Sequence, residues 1–184
     1  MPVWISLLRG INVGGNKKIK MAELRELYAS LGFVNTQSLL QSGNVVFQSD
    51  LTDKTKISGK IEHAIEDTFG FHSDIIVRTH KEWKDFVQTH PFSEEQLAEP
   101  KKVAVMFLAD VPSPESIEAL QEAHLGPEEI QANGHEICLF YPDGMGRSKL
   151  THAFMERKIK TTGTIRNWNT INKILNLAKT IDAS

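Results

Sequence analysis

The stretch FVNTQSLLQSGNVVF, residues 33–47, decides the fold of this chain. Residues 33–40 and 44–47 have the composition of strands, and Ser42-Gly43 between them is typical of a hairpin turn. The sequence therefore predicts two antiparallel strands joined by a short loop.

The segments on either side extend this hairpin to a βαββαβ order. Residues 3–8 are a short apolar run followed by glycines, which predicts a first strand. Apolar residues at helical spacing follow at 21–31 and again at 57–69. Residues 74–78 predict a fourth strand.

The second half of the chain repeats this order. A capping box at residues 79–82 opens a connecting helix that Pro91 ends. The further predicted elements are a strand at 103–108, a helix capped by Ser113, a hairpin about Asn133-Gly134, a helix from Ser148 to Lys160, a strand at 161–166 and a last helix through Ile181.

This order predicts an α+β fold with two ferredoxin-like (βαββαβ) units in tandem, together with connecting and C-terminal helices. The predicted units are residues 1–90 and 91–184, and the alternative is that both pack as one compact domain. The halves share no obvious residue-level repeat, so the duplication rests on element order alone.

Composition excludes several classes of protein. The chain has 40% hydrophobic and 24% charged residues, as in an ordinary globular protein. Its single cysteine, Cys138, excludes an intrachain disulfide and fits a reducing compartment. Residues 1–8 lack the features of a signal peptide, and no apolar run is long enough for a membrane helix. We therefore expect a cytoplasmic protein with no membrane partner.

The net charge of −2 hides a segregation of charge along the chain. Residues 1–20 carry four basic and no acidic side chains, and residues 141–173 carry seven basic and two acidic ones. Residues 49–140 carry 18 acidic and eight basic side chains. The two basic segments favour an anionic ligand, although the acidic middle also fits solvated helix faces.

Strand order predicts which loops meet at the sheet edges. The first and second strands of a βαββαβ unit are parallel, so residues 9–12 and 41–44 are expected to be neighbours. The same argument places residues 143–149 beside residues 166–168. The candidate ligand-binding residues are Arg9, Asn12, Ser42 and Asn44 at the first edge, and Gly144, Gly146, Arg147, Ser148, Lys149, Arg166 and Asn167 at the second.

The second edge has the pattern of an anion site. Gly144 and Gly146 let backbone N–H groups point outward at the helix start expected at Ser148. Arg147 and Lys149 add positive charge that suits phosphate or carboxylate. The alternative is a flexible loop in which Ser148 is an ordinary N-cap.

Known catalytic and cofactor motifs are absent. The glycines do not have P-loop or dinucleotide spacing, and no Gly-x-Ser-x-Gly elbow occurs. Ser42 and Ser148 have no base that the sequence identifies, and the seven histidines lack metal-ligand spacing. Trp168 is a candidate for stacking on a base but also fits core packing. The catalytic residues and the cofactor therefore stay unknown, and no metal site is expected.

Four blocks of sequence resemble domain-of-unknown-function family 1697, a group of bacterial cytosolic proteins. The blocks are LLRGINVGGNKKIKMAEL (7–24), LQSGNVVF (40–47), YPDGMGRSKLT (141–151) and TIRNWNTINKIL (164–175). The resemblance runs over nearly the whole chain, from about Val3 to Leu177. It implies an α+β fold and no established activity, so it implies no catalytic residue.

Three hypotheses for the function stay open. The first is a binding module for a small anionic or phosphate-bearing, nucleotide-like ligand, with single-stranded nucleic acid as its weaker version. The second is an enzyme acting on such a ligand, which lacks a recognisable general base. The third is a structural or protein-interaction role, in which Asn and Arg side chains cap backbone groups. The oligomeric state is left open.

Overall fold

The computed structural model describes residues 1–184 and has an α+β fold with two four-stranded antiparallel sheets. The strands are β1 (Val3–Leu8), β2 (Val34–Leu39), β3 (Asn44–Gln48), β4 (Ile75–Thr79), β5 (Val103–Leu108), β6 (Glu129–Asn133), β7 (Glu136–Phe140) and β8 (Gly163–Asn167). The helices are α1 (Met21–Ser30), α2 (Lys54–Phe69), α3 (His80–Thr89), α4 (Glu94–Leu97), α5 (Pro114–Ala123), α6 (His152–Ile159) and α7 (Trp168–Asp182). No helix is both long and apolar enough to span a bilayer.

The chain divides into two compact units. The first unit comprises Met1–Thr89 together with Asn172–Ser184, and the second comprises His90–Ile171. The division after Thr89 lies close to the predicted boundary at residue 90. The C-terminal residues Asn172–Ser184 group with the first unit, so the second boundary falls inside helix α7.

In the first unit the strand order is β2-β3-β1-β4, and all neighbours are antiparallel. Helices α1 and α2 connect β1 to β2 and β3 to β4. Leu24 and Tyr28 of α1 pack with Ile57, Ile61 and Ile65 of α2 in one apolar core on the sheet. The apolar spacing that predicted both helices is therefore the spacing of their buried faces.

The second unit repeats that order as β6-β7-β5-β8, again antiparallel throughout. Its core includes Leu120 of α5, together with Met155 and Ile159 of α6. Ser113 caps α5 as predicted, because its hydroxyl accepts the N–H of Ser116 at 3.1 Å. The four strands and the two crossover helices follow the predicted sequence of elements.

The predicted start of helix α6 at Ser148 is wrong. The helix begins at His152, and Thr151 is its N-cap, accepting the N–H of Phe154 at 3.2 Å. The helix does not extend further back, since Thr151 has an extended backbone with φ of −83° and ψ of 159°. Residues 143–149 are therefore a separate loop and do not offer the first N–H groups of a helix.

Candidate functional site

The first predicted edge is assembled as expected. The N–H of Leu8, at the end of β1, donates to the carbonyl of Gly43 in the β2–β3 hairpin at 2.9 Å. Gly43 has φ of +80°, and a Cβ on it would lie 2.7 Å from Cδ1 of Ile11 and 2.9 Å from Cβ of Leu8. The hairpin and the loop after β1 are thus packed against each other where only glycine fits.

Two asparagines of this edge hold the backbone. Asn12 donates to the carbonyls of Ile19 (3.0 Å) and Gln41 (2.8 Å), and its Oδ1 accepts the N–H of Ile19 at 2.9 Å. Asn44, which is fully buried, donates to the carbonyl of Leu39 at 2.7 Å and to Ser42 Oγ at 3.0 Å. Both amides therefore have structural partners inside the first unit.

The cations of the first edge differ in their surroundings. A guanidinium nitrogen of Arg9 lies 3.8 Å from the Asp74 carboxylate, and Lys17 donates to the carbonyl of His72 at 2.7 Å. Lys18 and Lys20 are exposed and line a shallow groove of about 480 Å³. Lys18 and Lys20, which belong to the basic segment of residues 1–20, thus provide positive charge that is open to solvent at this edge.

At the second predicted edge, Arg166 and Asn167 hold the protein's own structure. Arg166 is only 7% exposed, and it donates to Thr164 Oγ1 at 2.6 Å and to the carbonyl of Ile165 at 2.9 Å. Burial lowers the pKa of Arg166 to about 10, so its charge persists at neutral pH. Asn167 Oδ1 accepts the N–H of Thr170 in the first turn of α7 at 2.9 Å.

Trp168 also packs inside the second unit. It is 8% exposed, and its ring lies edge-on to His90 and Phe92, with centroid distances of 4.9 and 5.5 Å. These contacts agree with the core-packing interpretation of this tryptophan.

Residues 143–149 share a cleft with the connection between α5 and β6, a neighbour that the strand-order argument did not predict. This loop lines a cleft with Ala123, at the end of α5, and with residues 125–128 of the connection between α5 and β6. Arg166, Asn167 and Trp168 do not line this cleft. The reason lies in the strand order. Strand β6 pairs directly with β7, with Glu129 opposite Phe140, whereas β5 lies between β7 and β8.

The cleft has a volume of about 690 Å³ and two contrasting walls. The loop after β7 contributes Gly144, Arg147, Ser148 and Lys149, whereas Gly146 is not part of the lining. Arg147 and Lys149 are exposed and make no ion pair. The opposite wall, from the α5–β6 connection and α6, is largely apolar and comprises Ala123, Leu125, Gly126, Pro127 and Phe154, with Glu128 as its charged residue.

Apolar exposure is pronounced on that opposite wall. Leu125 is 94% exposed, which makes it the most exposed large hydrophobic residue of the chain. Its side chain therefore faces the cleft and solvent without packing on the core. Volume and composition both lie within the range of small-molecule binding sites.

A chain of three polar side chains joins the two loops at this cleft. The Ser148 hydroxyl donates to Oε1 of Glu128, and Oε2 of Glu128 lies 3.0 Å from Nε2 of His124. The His124 and Glu128 side chains are each 8% exposed, whereas Ser148 is half-buried. Burial alone raises the pKa of Glu128, but the Ser148 hydrogen bond and His124 outweigh it, so this pKa lies below its usual value.

Sequence reasoning missed His124 and Glu128. The local signal is the segment HLGPE, residues 124–128, in which Gly126 and Pro127 turn the chain between a histidine and a carboxylate. Nothing local pairs that turn with Ser148, which lies 20 residues further along. Only the antiparallel pairing of β6 with β7 brings them together.

Other reactive groups have simpler surroundings. Cys138 is buried on strand β7, and burial raises the pKa of its thiol to about 12, so the thiolate is not populated at neutral pH. No group of three or more His, Cys, Asp or Glu side chains is arranged to hold a metal ion.

Comparison with known proteins identifies the family and a shared fold. No curated protein matches this sequence. Among solved structures, a protein described as "conserved bacterial protein SP0830 from Streptococcus pneumoniae" is similar, with a TM-score of 0.74 and 22% identity over 96% of this chain and 98% of that one. A family model described as "Protein of unknown function (DUF1697)" matches residues 1–138. With three quarters of its length matched, this chain belongs to the DUF1697 family.

Proposed function

We propose that the cleft of the second unit binds a small phosphate-bearing, nucleotide-like ligand. The observation that carries the proposal is the pair of exposed cations without ion-pair partners, Arg147 and Lys149, on the wall of a cleft of about 690 Å³. Cationic side chains close together repel one another, and an anion between them relieves that repulsion. The planar fork of Arg147 suits two phosphate oxygens at once.

The apolar wall supports a ligand larger than a free phosphate ion. Leu125, Pro127 and Phe154 offer surface for a planar or apolar group, such as a nucleoside base. Glu128 and Asp143 also line the cleft, and their carboxylates accept hydrogen bonds from hydroxyl or amino groups. A phosphate ester with a nucleoside-like body matches both walls.

Titration of the protein with inorganic phosphate, AMP and ATP, followed by melting temperature and calorimetry, tests this proposal. The nucleotides should stabilise the wild type at millimolar concentration, and added salt should weaken the effect. Arg147→Ala and Lys149→Ala should each weaken binding about tenfold, as expected for one charge-assisted hydrogen bond.

The matched control is Lys101→Ala, since Lys101 is an exposed lysine of the same unit that does not line the cleft. It should bind like the wild type. If none of the three compounds stabilises the wild type, or if Lys101→Ala weakens binding as much as Arg147→Ala, the cleft is not the binding site.

Four other predicted ligand-binding residues favour the structural hypothesis instead. Asn12, Asn44, Arg166 and Asn167 each donate or accept hydrogen bonds within the fold. We assign them to holding loops and strands rather than to ligand contact. Arg166→Ala should therefore lower the free energy of unfolding by more than about 2 kcal/mol, whereas Arg147→Ala should change it by less than about 0.5 kcal/mol.

A second candidate function concerns the first unit. Lys18 and Lys20 beside their groove favour a short contact with the phosphates of single-stranded nucleic acid. Binding of a fluorescent single-stranded oligonucleotide at several salt concentrations tests this candidate. Lys18→Ala and Lys20→Ala should each make the binding constant depend less steeply on salt concentration. Binding that is absent or insensitive to salt would remove this candidate.

We also infer that both units are ferredoxin-like and that the protein works in the cytoplasm. The matching strand orders β2-β3-β1-β4 and β6-β7-β5-β8 support the first inference. The single buried, unpaired cysteine agrees with the second.

A further inference from the structure

Ser148 has the surroundings of an activated hydroxyl. Its O–H donates to the Glu128 carboxylate, so its proton already points at a base. Its oxygen accepts the N–H of Leu150 at 3.0 Å, which leaves one lone pair for another atom. A hydroxyl, a base in hydrogen-bond reach and a third group that orients the base are the general signature of a covalent nucleophile.

His124 provides that third group. It ends helix α5, where its N–H donates to the carbonyl of Leu120 at 3.1 Å, and its Nε2 meets the second oxygen of Glu128. Gly126 lies directly against this pair, because a Cβ there would lie 2.8 Å from Cε1 of His124. One oxygen of the carboxylate is therefore held by the Ser148 hydroxyl, and the other lies 3.0 Å from Nε2 of His124 without a hydrogen bond between them. Both side chains are largely buried, and electrostatic interactions are stronger there than in water.

The charges around Ser148 favour phosphoryl transfer over acyl transfer. The lowered pKa of Glu128 keeps it ionised at neutral pH but makes it a weak base. Phosphoryl transfer depends mainly on positioning and on cations that stabilise the transferring oxygens, so a weak base in hydrogen-bond contact suffices to take the hydroxyl proton. Arg147 and Lys149 stand on either side of Ser148 in the sequence and line the same cleft.

We propose that Ser148 accepts a phosphoryl group from a phosphoric anhydride bound in this cleft. The inference rests on the proposed function and adds a reaction to it. The Ser148 oxygen forms a bond to phosphorus while the bond from phosphorus to the bridging oxygen breaks. The electron pair of that bond stays on the leaving oxygen, and the hydroxyl proton passes to Oε1 of Glu128.

An anhydride is the donor class that these residues fit. Its leaving group departs as a phosphate or carboxylate anion, which is stable without a proton, so the site needs no separate acid. An alkyl phosphate would leave as an alkoxide and would need one.

The test is incubation of the full chain with ATP and magnesium chloride, and separately with acetyl phosphate, followed by peptide mass spectrometry. Phosphate should be found on Ser148 in the wild type and should be missing in Ser148→Ala. Glu128→Gln keeps a hydrogen-bonding group but removes the base, so labelling should be at least about a hundredfold slower. Glu129→Gln, a neighbouring exposed carboxylate, is the matched control and should label like the wild type.

His124 is a positioning residue, and its variant has its own readout. The labelling rate should rise with pH as Glu128 ionises. In His124→Gln that rise should move to higher pH, because a group that lowers the pKa of Glu128 is gone. A purely structural histidine would reduce the rate without moving the profile.

The outcomes separate this inference from the proposed function. If ATP stabilises the wild type through Arg147 but no phosphate appears on Ser148, transfer is overturned and binding stands. If ATP neither stabilises nor labels the protein, both fall. Labelling that survives in a folded Glu128→Gln overturns the role of the base. Should Glu128→Gln not fold, Ser148→Ala, which removes one half-buried hydroxyl, decides whether Ser148 is the acceptor.

Discussion

At the scale of single residues, Gly43 shows how closely the first edge is packed. It combines a left-handed backbone with side chains that leave no room for a Cβ. Gly10, in the loop after β1, also has a left-handed backbone, with φ of +72°, but a Cβ added to it would have no neighbouring atom within 4 Å. The two glycines therefore separate backbone strain from steric overlap.

Gly43→Ala should lower the free energy of unfolding by about 2–4 kcal/mol, because the left-handed conformation and the overlap with Ile11 and Leu8 add. Gly10→Ala should lower it by only about 1–2 kcal/mol, from the backbone term alone. Urea unfolding of both variants measures the difference. Equal losses would mean that the hairpin moves away from Ile11 without cost.

His72 gives the first unit a pH-dependent contribution to stability. Its ring lies 3.0 Å from Asp74, and this hydrogen bond raises the pKa of His72 above its ordinary value of 6.5. Because the folded pKa is higher than the unfolded one, the stabilisation is complete below pH 6.5 and is lost as pH rises through the folded pKa. Glu62 and Glu66 act in the same direction.

The wild type should therefore exceed His72→Gln in stability by more at pH 5.5 than at pH 8.5. Urea midpoints at the two pH values provide the measurement. His63→Gln is a suitable control, since His63, in α2, is likewise exposed and lies 3.4 Å from a carboxylate, that of Asp67. A difference between wild type and His72→Gln that does not change with pH would contradict this account.

At the scale of elements, helix α6 depends on Thr151 for its start. The Thr151 hydroxyl accepts the N–H of Phe154, so its loss leaves a helix N–H without its partner. Thr151→Ala should lower the free energy of unfolding by about 1 kcal/mol, and Thr151→Ser should restore most of it. Chemical denaturation checks both variants, and a neutral Thr151→Ala would mean that the helix starts elsewhere.

Pairing of elements also explains the cleft. Strand β6 begins opposite the end of β7, so the loops attached to these ends meet. A loop that leaves β7 reaches the α5–β6 connection before it reaches β8, which lies two strands away. Neighbouring strands are about 4.8 Å apart, so β6 lies one strand spacing from β7 and β8 lies two. This extra spacing decides which side chains share the cleft.

At the scale of the whole molecule, the last helix belongs mainly to the unit that starts the chain. Asn172–Ser184 group with Met1–Thr89, and Ile174 in this segment is fully buried. Ile174→Ala should lower the free energy of unfolding by about 2–5 kcal/mol, because it leaves a cavity in a packed region. The exposed neighbour Asn176 should tolerate alanine within about 0.5 kcal/mol.

Hydrogen exchange locates the effect of that substitution. Amides of β1 and β4 in the first unit should exchange faster in Ile174→Ala, and amides of β5 and β8 should change less. The opposite order would show that the C-terminal segment stabilises the second unit instead.

The sequence by itself determined the order of the elements and most of their bounds. Apolar spacing and turn residues act over a few positions, so the hairpin at Ser42-Gly43 and helix α5 after Ser113 follow from local chemistry. Parallel first and second strands in each unit also predicted that residues 9–12 meet residues 41–44, and the Asn12 hydrogen bond to Gln41 confirms it.

Only the tertiary structure decided which polar residues face a cleft. Arg166 and Arg147 are both arginines in basic, polar segments, yet Arg166 is buried on strand β8 and Arg147 is exposed on a loop. Glu128 meets Ser148 because two strands pair, and helix α6 begins only after Thr151, whose backbone is extended. Burial and contacts between distant segments depend on the whole fold, and no local pattern of residues records them.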